Sequence, residues 1–168
     1  MSNPFFKYAG LALALGMASL QVQVQAATSN DFVDAATEAG ISEVVLGKLA
    51  QEKSHSADIK QFAAKMVSDH TQANQKLSEI AHKLDIEVPD EAALTDKVKK
   101  MILEWRDESF DKSYVENQLK AHEKAVELFK KEAASSDKAE LKAFASETLP
   151  TLEHHLEQVK ALHASHGK

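Results

Sequence analysis

The 168-residue chain contains no cysteine. That excludes disulfides, thiolate metal sites, a thiol nucleophile and a lipidated cysteine anchor. Glycine and proline are scarce, at five and three residues, which favours helix over sheet. A basic surplus is also missing. The net charge of −6 argues against a protein held mainly by phosphate contacts, so no nucleic-acid partner is expected. No Gly-rich phosphate loop, no Gly-x-Ser-x-Gly and no His-Glu-x-x-His is present. Beyond the first 26 residues, no stretch is long and apolar enough to cross a bilayer.

The first 26 residues read as an address. Lys7 is their only charge, Tyr8 to Leu20 is an uncharged apolar run, and Val24 and Ala26 stand at the −3 and −1 positions. That pattern predicts a signal peptide cleaved after Ala26. Removing 26 of 168 residues leaves 142, one domain at 27–168, and losing Lys7 takes the charge from −6 to −7. The expected location is the periplasm or the outside of the cell, with outer-membrane association open. There is no twin arginine, so the chain is expected to cross unfolded and to meet any metal outside the cytoplasm.

Downstream, apolar residues recur with helical spacing. Asn30 or Asp31 can cap a helix to about Lys53, with Phe32, Ala36, Ala39, Leu46 and Ala50 on one stripe. A second helix, about 57–84, carries Ile59, Phe62, Met66, Ala73, Leu77, Ile80 and Leu84. A loop with Pro89 leads to a short helix at about 92–104. Ser109 can cap a long helix at about 110–134, and Ser135-Ser136-Asp137 turns into the last, about 138–163. Pro150 should kink or restart that helix. Trp105 and Phe110 are expected to close one end of the core, and 164–168 to fray. No run alternates with period two, so essentially no strand is expected.

Two tight turns make two helical hairpins. A 26-residue helix is about 40 Å long at 1.5 Å per residue, and the segment 85–108 can cover that distance. The expected fold is therefore all-α, a ferritin-like four-helix bundle with one long crossover. The run Ala57-Asp58-Ile59-Lys60-Gln61-Phe62-Ala63 parallels Ala139-Glu140-Leu141-Lys142-Ala143-Phe144-Ala145, which favours an old duplication.

Polar residues interrupt each inward stripe. They are Glu43, His70, His122 and His155, with Asp69 at the edge beside His70. Counted from the turns, all four lie about 16 to 28 Å along their helices, near mid-bundle. Burying such groups is costly unless something compensates. One compensator is a single transition-metal ion (Zn, Cu, Fe or Mn) held by Glu43, His70, His122 and His155, with Asp69 behind them. The other is mutual hydrogen bonding in a structural polar core, with Tyr114 assisting. Both readings stand at this stage, and no catalytic residue is assigned. Glu52-x-x-His55 and Glu79-x-x-His82 fall at a turn and off the stripe, so they read as surface pairs. His163 and His166 lie toward the tail, His154 points to solvent, and Lys97 to Lys100 reads as a solvated face.

Several segments resemble a known family. They are Glu43-Val44-Val45-Leu46-Gly47-Lys48-Leu49-Ala50, Phe62-Ala63-x-x-Met66-Val67-x-Asp69-His70-Thr71, Phe110-Asp111-x-x-Tyr114-Val115, His122, Phe129, and Phe144-Ala145-x-x-Thr148-Leu149-Pro150-x-Leu152-x-x-His155-Leu156. They are similar to an exported bacterial ferritin-like family of unknown function, often labelled outer membrane proteins. The resemblance covers about 31–163. It implies the ferritin-like fold more than an activity. Carboxylate-bridged members of that fold use one Glu on each of two helices and Glu-x-x-His on each of the others. By this likeness Glu43 matches the first Glu, and His70 and His155 match the histidines. His122 stands where the second Glu would be, and Val67 and Leu152 replace the Glu of each Glu-x-x-His. A diiron enzyme is therefore not expected. The alternatives are a single-metal protein and a non-catalytic envelope stress or protein-interaction module.

Overall fold

The computed structural model describes residues 29–102 and 110–167. The leader with its cleavage site, Trp105 and Ser109 lie outside the described residues. Five helices account for nearly all of the rest. They are α1 (Asp31–Lys53), α2 (Ala57–Lys83), α3 (Glu91–Ile102), α4 (Phe110–Ser135) and α5 (Ala139–His166).

The helix ends follow local chemistry. Asn30 caps α1, its side-chain oxygen accepting from the Val33 N–H at 3.0 Å. α2 ends in a Schellman motif: the Ile86 N–H reaches the Ala81 carbonyl at 2.9 Å, and the Asp85 N–H reaches that of His82 at 3.3 Å. Asp85 occupies the left-handed position at φ 52° that glycine usually takes. α3 begins one residue earlier than the apolar pattern indicated. Asp90 accepts from the Ala93 N–H at 2.7 Å and acts as its cap.

Of the sequence expectations at α5, one is narrowed and one corrected. Pro150 does not restart the helix, which runs unbroken from Ala139 to His166. Pro150 is on the exposed face. It removes one backbone hydrogen bond, while buried Phe144, Ala145, Leu152 and His155 hold both sides in place. The C-terminal turn is also helical rather than frayed, and His166 Nε2 lies 2.9 Å from Asp58 Oδ2 at the start of α2.

α1 packs on α2 and α4, α5 packs on α2 and α4, and α3 packs on α1. The core falls into two apolar clusters. In one, Phe32 at the start of α1 meets Phe129 late in α4 and Phe144 early in α5, at ring-centroid distances of 5.1 and 6.4 Å. Leu77, Ala81 and Ile86 join them. The other gathers Leu46 and Ala50, Ile59 and Phe62, Phe110 and Tyr114, and Val159 and Leu162. α2 thus ends at the first cluster and α4 begins at the second. The chain between them passes from end to end, with Val88 packed on the first cluster and Val98 in the second.

Among the described residues no helix is long and apolar enough to cross a membrane.

Candidate metal centre

On each of the four long helices, buried polar residues fall between the positions that feed the two clusters. Glu43 lies between Ala36 and Leu46, and His70 between Met66 and Leu77. Gln118 and His122 lie between Val115 and Val126, and His155 between Leu152 and Val159. Helical periodicity turns these side chains inward, and the long helices put them at mid-length. The result is a polar layer between two oily ends.

The three histidines meet there. Each offers a ring nitrogen, and the three nitrogens lie within 4.8 Å of one another. Their ring centroids are 5.5 to 5.8 Å apart. His122 and His155 are each only 1% exposed.

Hydrogen bonding sets two of the ring tautomers. His122 Nδ1 is 2.9 Å from the Gln118 carbonyl, which can only accept, so Nδ1 carries the proton and Nε2 has the free lone pair. His155 Nε2 donates to Asp69 Oδ2 at 2.9 Å, which leaves Nδ1 free. Both free nitrogens are buried without a hydrogen-bond partner, as is His70 Nε2. Three neighbouring buried imidazoles, each with a partnerless ring nitrogen, are the chemistry of a metal-ligand set. Leaving each unsatisfied costs roughly 1–3 kcal/mol.

Burial favours the neutral forms of His70 and His155. Burial lowers the pKa of His70 to about 3, and the nearby His122 and His155 add to the effect. Burial lowers that of His155 to about 4, against the opposing pull of Asp69. Burial disfavours ionisation of Asp69 too, but hydrogen bonds from Lys65 and His155 prevail and lower its pKa. The Lys65 ammonium lies 2.7 Å from Asp69 Oδ2. Lys65, Asp69 and His155 thus form a chain that aims His155 Nδ1 inward, the outer-shell carboxylate arrangement of many metal-bound histidines.

Glu43 is buried at 4% exposure, but it is not among the groups whose ligand atoms lie within 4.8 Å of one another. Burial raises its pKa, while the neighbouring His122 and Gln118 side chains pull the other way. Burial, with Glu43 beside it, also raises the Tyr114 pKa. Glu43 Oε2 and Tyr114 OH have no hydrogen-bond partner. Glu43 therefore belongs to a second polar group on the Tyr114 side of the histidines.

Gln118 was missed as an inward residue because glutamine is usually solvated. The signal was its spacing of four from both Tyr114 and His122. The surface readings agree with the structure, since Glu52, His55, Glu79, His82 and His154 are all exposed.

The profile of a family described as a domain of unknown function, DUF4142, matches residues 16–162. The chain belongs to this family. The DUF4142 match spans α1, α2 and α4 and reaches residue 162 in α5, so it includes every residue of the polar layer. Neither the curated proteins nor the solved structures contain a significant match to the chain.

Proposed function

We propose that this is an exported, periplasmic ferritin-like protein that holds one transition-metal ion at His70, His122 and His155. Asp69 orients His155, and Glu43 is the nearby carboxylate that can move in as a further ligand or balance the ion's charge. The observation that carries this reading is a group of three buried histidines whose ring nitrogens can lie within 4.8 Å of one another, each ring with one nitrogen lacking a partner. For bonds of 2.0–2.1 Å in a tetrahedral site the nitrogens would stand about 3.3 Å apart, so the rings need only a modest inward adjustment. An all-imidazole set suits Zn, Cu or Fe, and Mn would need the Glu43 carboxylate as well.

Two helical hairpins joined by a segment that travels the full length support the ferritin-like topology. The apolar run before Ala26 supports export, and the absence of a second apolar run supports release from the inner membrane. Val67 and Leu152 stand where a carboxylate-bridged diiron site needs glutamates, so no diiron chemistry is assigned.

Elemental analysis of untagged protein from the periplasm tests the reading. The expected result is one metal per chain, lost in His70→Ala and His155→Ala. Metal-free protein, with both variants merely less stable, would favour the second reading: a structural polar core in an envelope protein-interaction module. That alternative draws on Gln118, Tyr114 and Glu43, which extend the polar layer beyond the ligand set.

A further inference from the structure

A cavity of about 40 Å³ adjoins the histidines. His70 and His155 form part of its wall, and Ala36, Ala73, Phe129 and Phe144 are among its apolar residues. Its lining also includes exposed Thr151 and half-buried Thr148 and Asn74, which gives it a way to solvent between α2 and α5. The cavity lies on the Phe129 and Phe144 side of the polar layer, whereas Glu43 lies on the Tyr114 side.

We propose that a metal ion at His70, His122 and His155 keeps an open coordination position facing this cavity and takes there a small exogenous ligand of two or three heavy atoms. The inference rests on the metal reading above and adds the class of ligand. Three imidazoles leave at least one position on a four-coordinate ion. Two of the three ligand rings border the cavity, so that position has room on their side. The size sets the limit. A cavity needs roughly 10–15 Å³ to hold one water, so 40 Å³ admits a small anion or diatomic molecule but not a ring. The lining is mostly Ala, Leu and Phe, with Asp69, Asn74, Thr148, Thr151 and the two histidines as its polar members and no cationic side chain to hold an anion, so the metal would supply most of the binding energy.

The test uses the full mature protein loaded with Co²⁺, whose visible absorption reports coordination. Azide and imidazole are the two probes. Azide is expected to shift the cobalt bands saturably at one equivalent per metal, while imidazole at the same concentration leaves them unchanged. Filling the cavity in Ala73→Leu, or in Ala39→Leu should the first not fold, is expected to weaken the azide response at least tenfold. Cobalt uptake with no azide response overturns this inference and leaves the metal reading intact. Equal responses to azide and imidazole, or an undiminished response in the filled variants, overturn the placement in the cavity. Failure to take up cobalt at the three histidines overturns both.

Discussion

Asp69 on α2 accepts a 2.9 Å hydrogen bond from His155 on α5. That contact fixes which nitrogen of His155 faces inward, and Lys65 holds Asp69 in turn at 2.7 Å. A carboxylate behind a ligand histidine typically contributes 10- to 100-fold to metal affinity. Asp69→Ala is therefore expected to weaken Zn²⁺ binding by about that factor. Asp69→Asn, which keeps an acceptor without the charge, should fall between. Chelator-competition titrations read this directly, and wild-type affinity in Asp69→Ala would show that His155 is aimed by packing alone.

The metal-free protein should lose stability in mild acid. Burial holds His70 and His155 at pKa values of about 3 and about 4, below the ordinary 6.5. Below pH 6.5 the unfolded chain takes up protons that the folded chain refuses, so stability falls as pH drops toward 4. The slope approaches about 1.4 kcal/mol per pH unit for each histidine. Glu43 has the opposite sign: its raised pKa makes it destabilising as pH rises above the carboxylate range. Denaturant unfolding of chelator-treated protein from pH 7.5 to 4.5 is the measurement. His70→Leu should flatten the acid side, and an unchanged slope in that variant would remove His70 from the account.

At Gly47 the backbone of α2 lies close against α1. A Cβ there would lie 2.9 Å from the Ala63 carbonyl oxygen and 2.8 Å from the Val67 side chain. The carbonyl belongs to the α2 backbone and cannot swing aside. Gly47→Ala would gain up to about 1 kcal/mol in helix propensity, but the helices must separate, at a cost of about 1–3 kcal/mol. A net loss of stability in thermal or denaturant melts is expected, and a net gain would mean that the hairpin can open there freely.

Asp85 carries the opposite expectation. It holds a left-handed φ of 52° at the end of α2, a position where glycine has no Cβ penalty. Asp85→Gly should stabilise the protein by roughly 0.5 kcal/mol once the greater freedom of the unfolded chain is counted. A shift of the denaturation midpoint to lower denaturant would show that the Asp side chain contributes more locally than its backbone strain costs.

Much of the fold is legible because its signals are local. Asn30 caps α1 as a helix-starting residue should, and the stripes Phe32–Ala36 and Ile59–Phe62–Met66 mark faces that do become core. Local rules failed where long-range packing outweighed them. Pro150 breaks an isolated helix, yet α5 stays whole because residues on both sides are anchored in the core. Asp90 was overlooked as a cap because Pro89 beside it suggested only a loop. Gln118 was passed over by residue type although its position was inward.

The polar layer divides in the same way. Helical period alone determined that Glu43, His70, His122 and His155 face inward, since each lies on an apolar stripe at 100° per residue. The missing cysteine alone removed thiolate from any metal set. Which of the four side chains meet was decided only by the tertiary structure. Angle around a helix is written in the sequence, but height relative to the neighbouring helices depends on how turns, close contacts such as Gly47 and the connector set each helix along its axis. At 1.5 Å per residue, a slide of two residues moves a side chain by about 3 Å, enough to bring it into a ligand set or take it out. That sliding places His70, His122 and His155 within 4.8 Å of one another and leaves Glu43 with Gln118 and Tyr114.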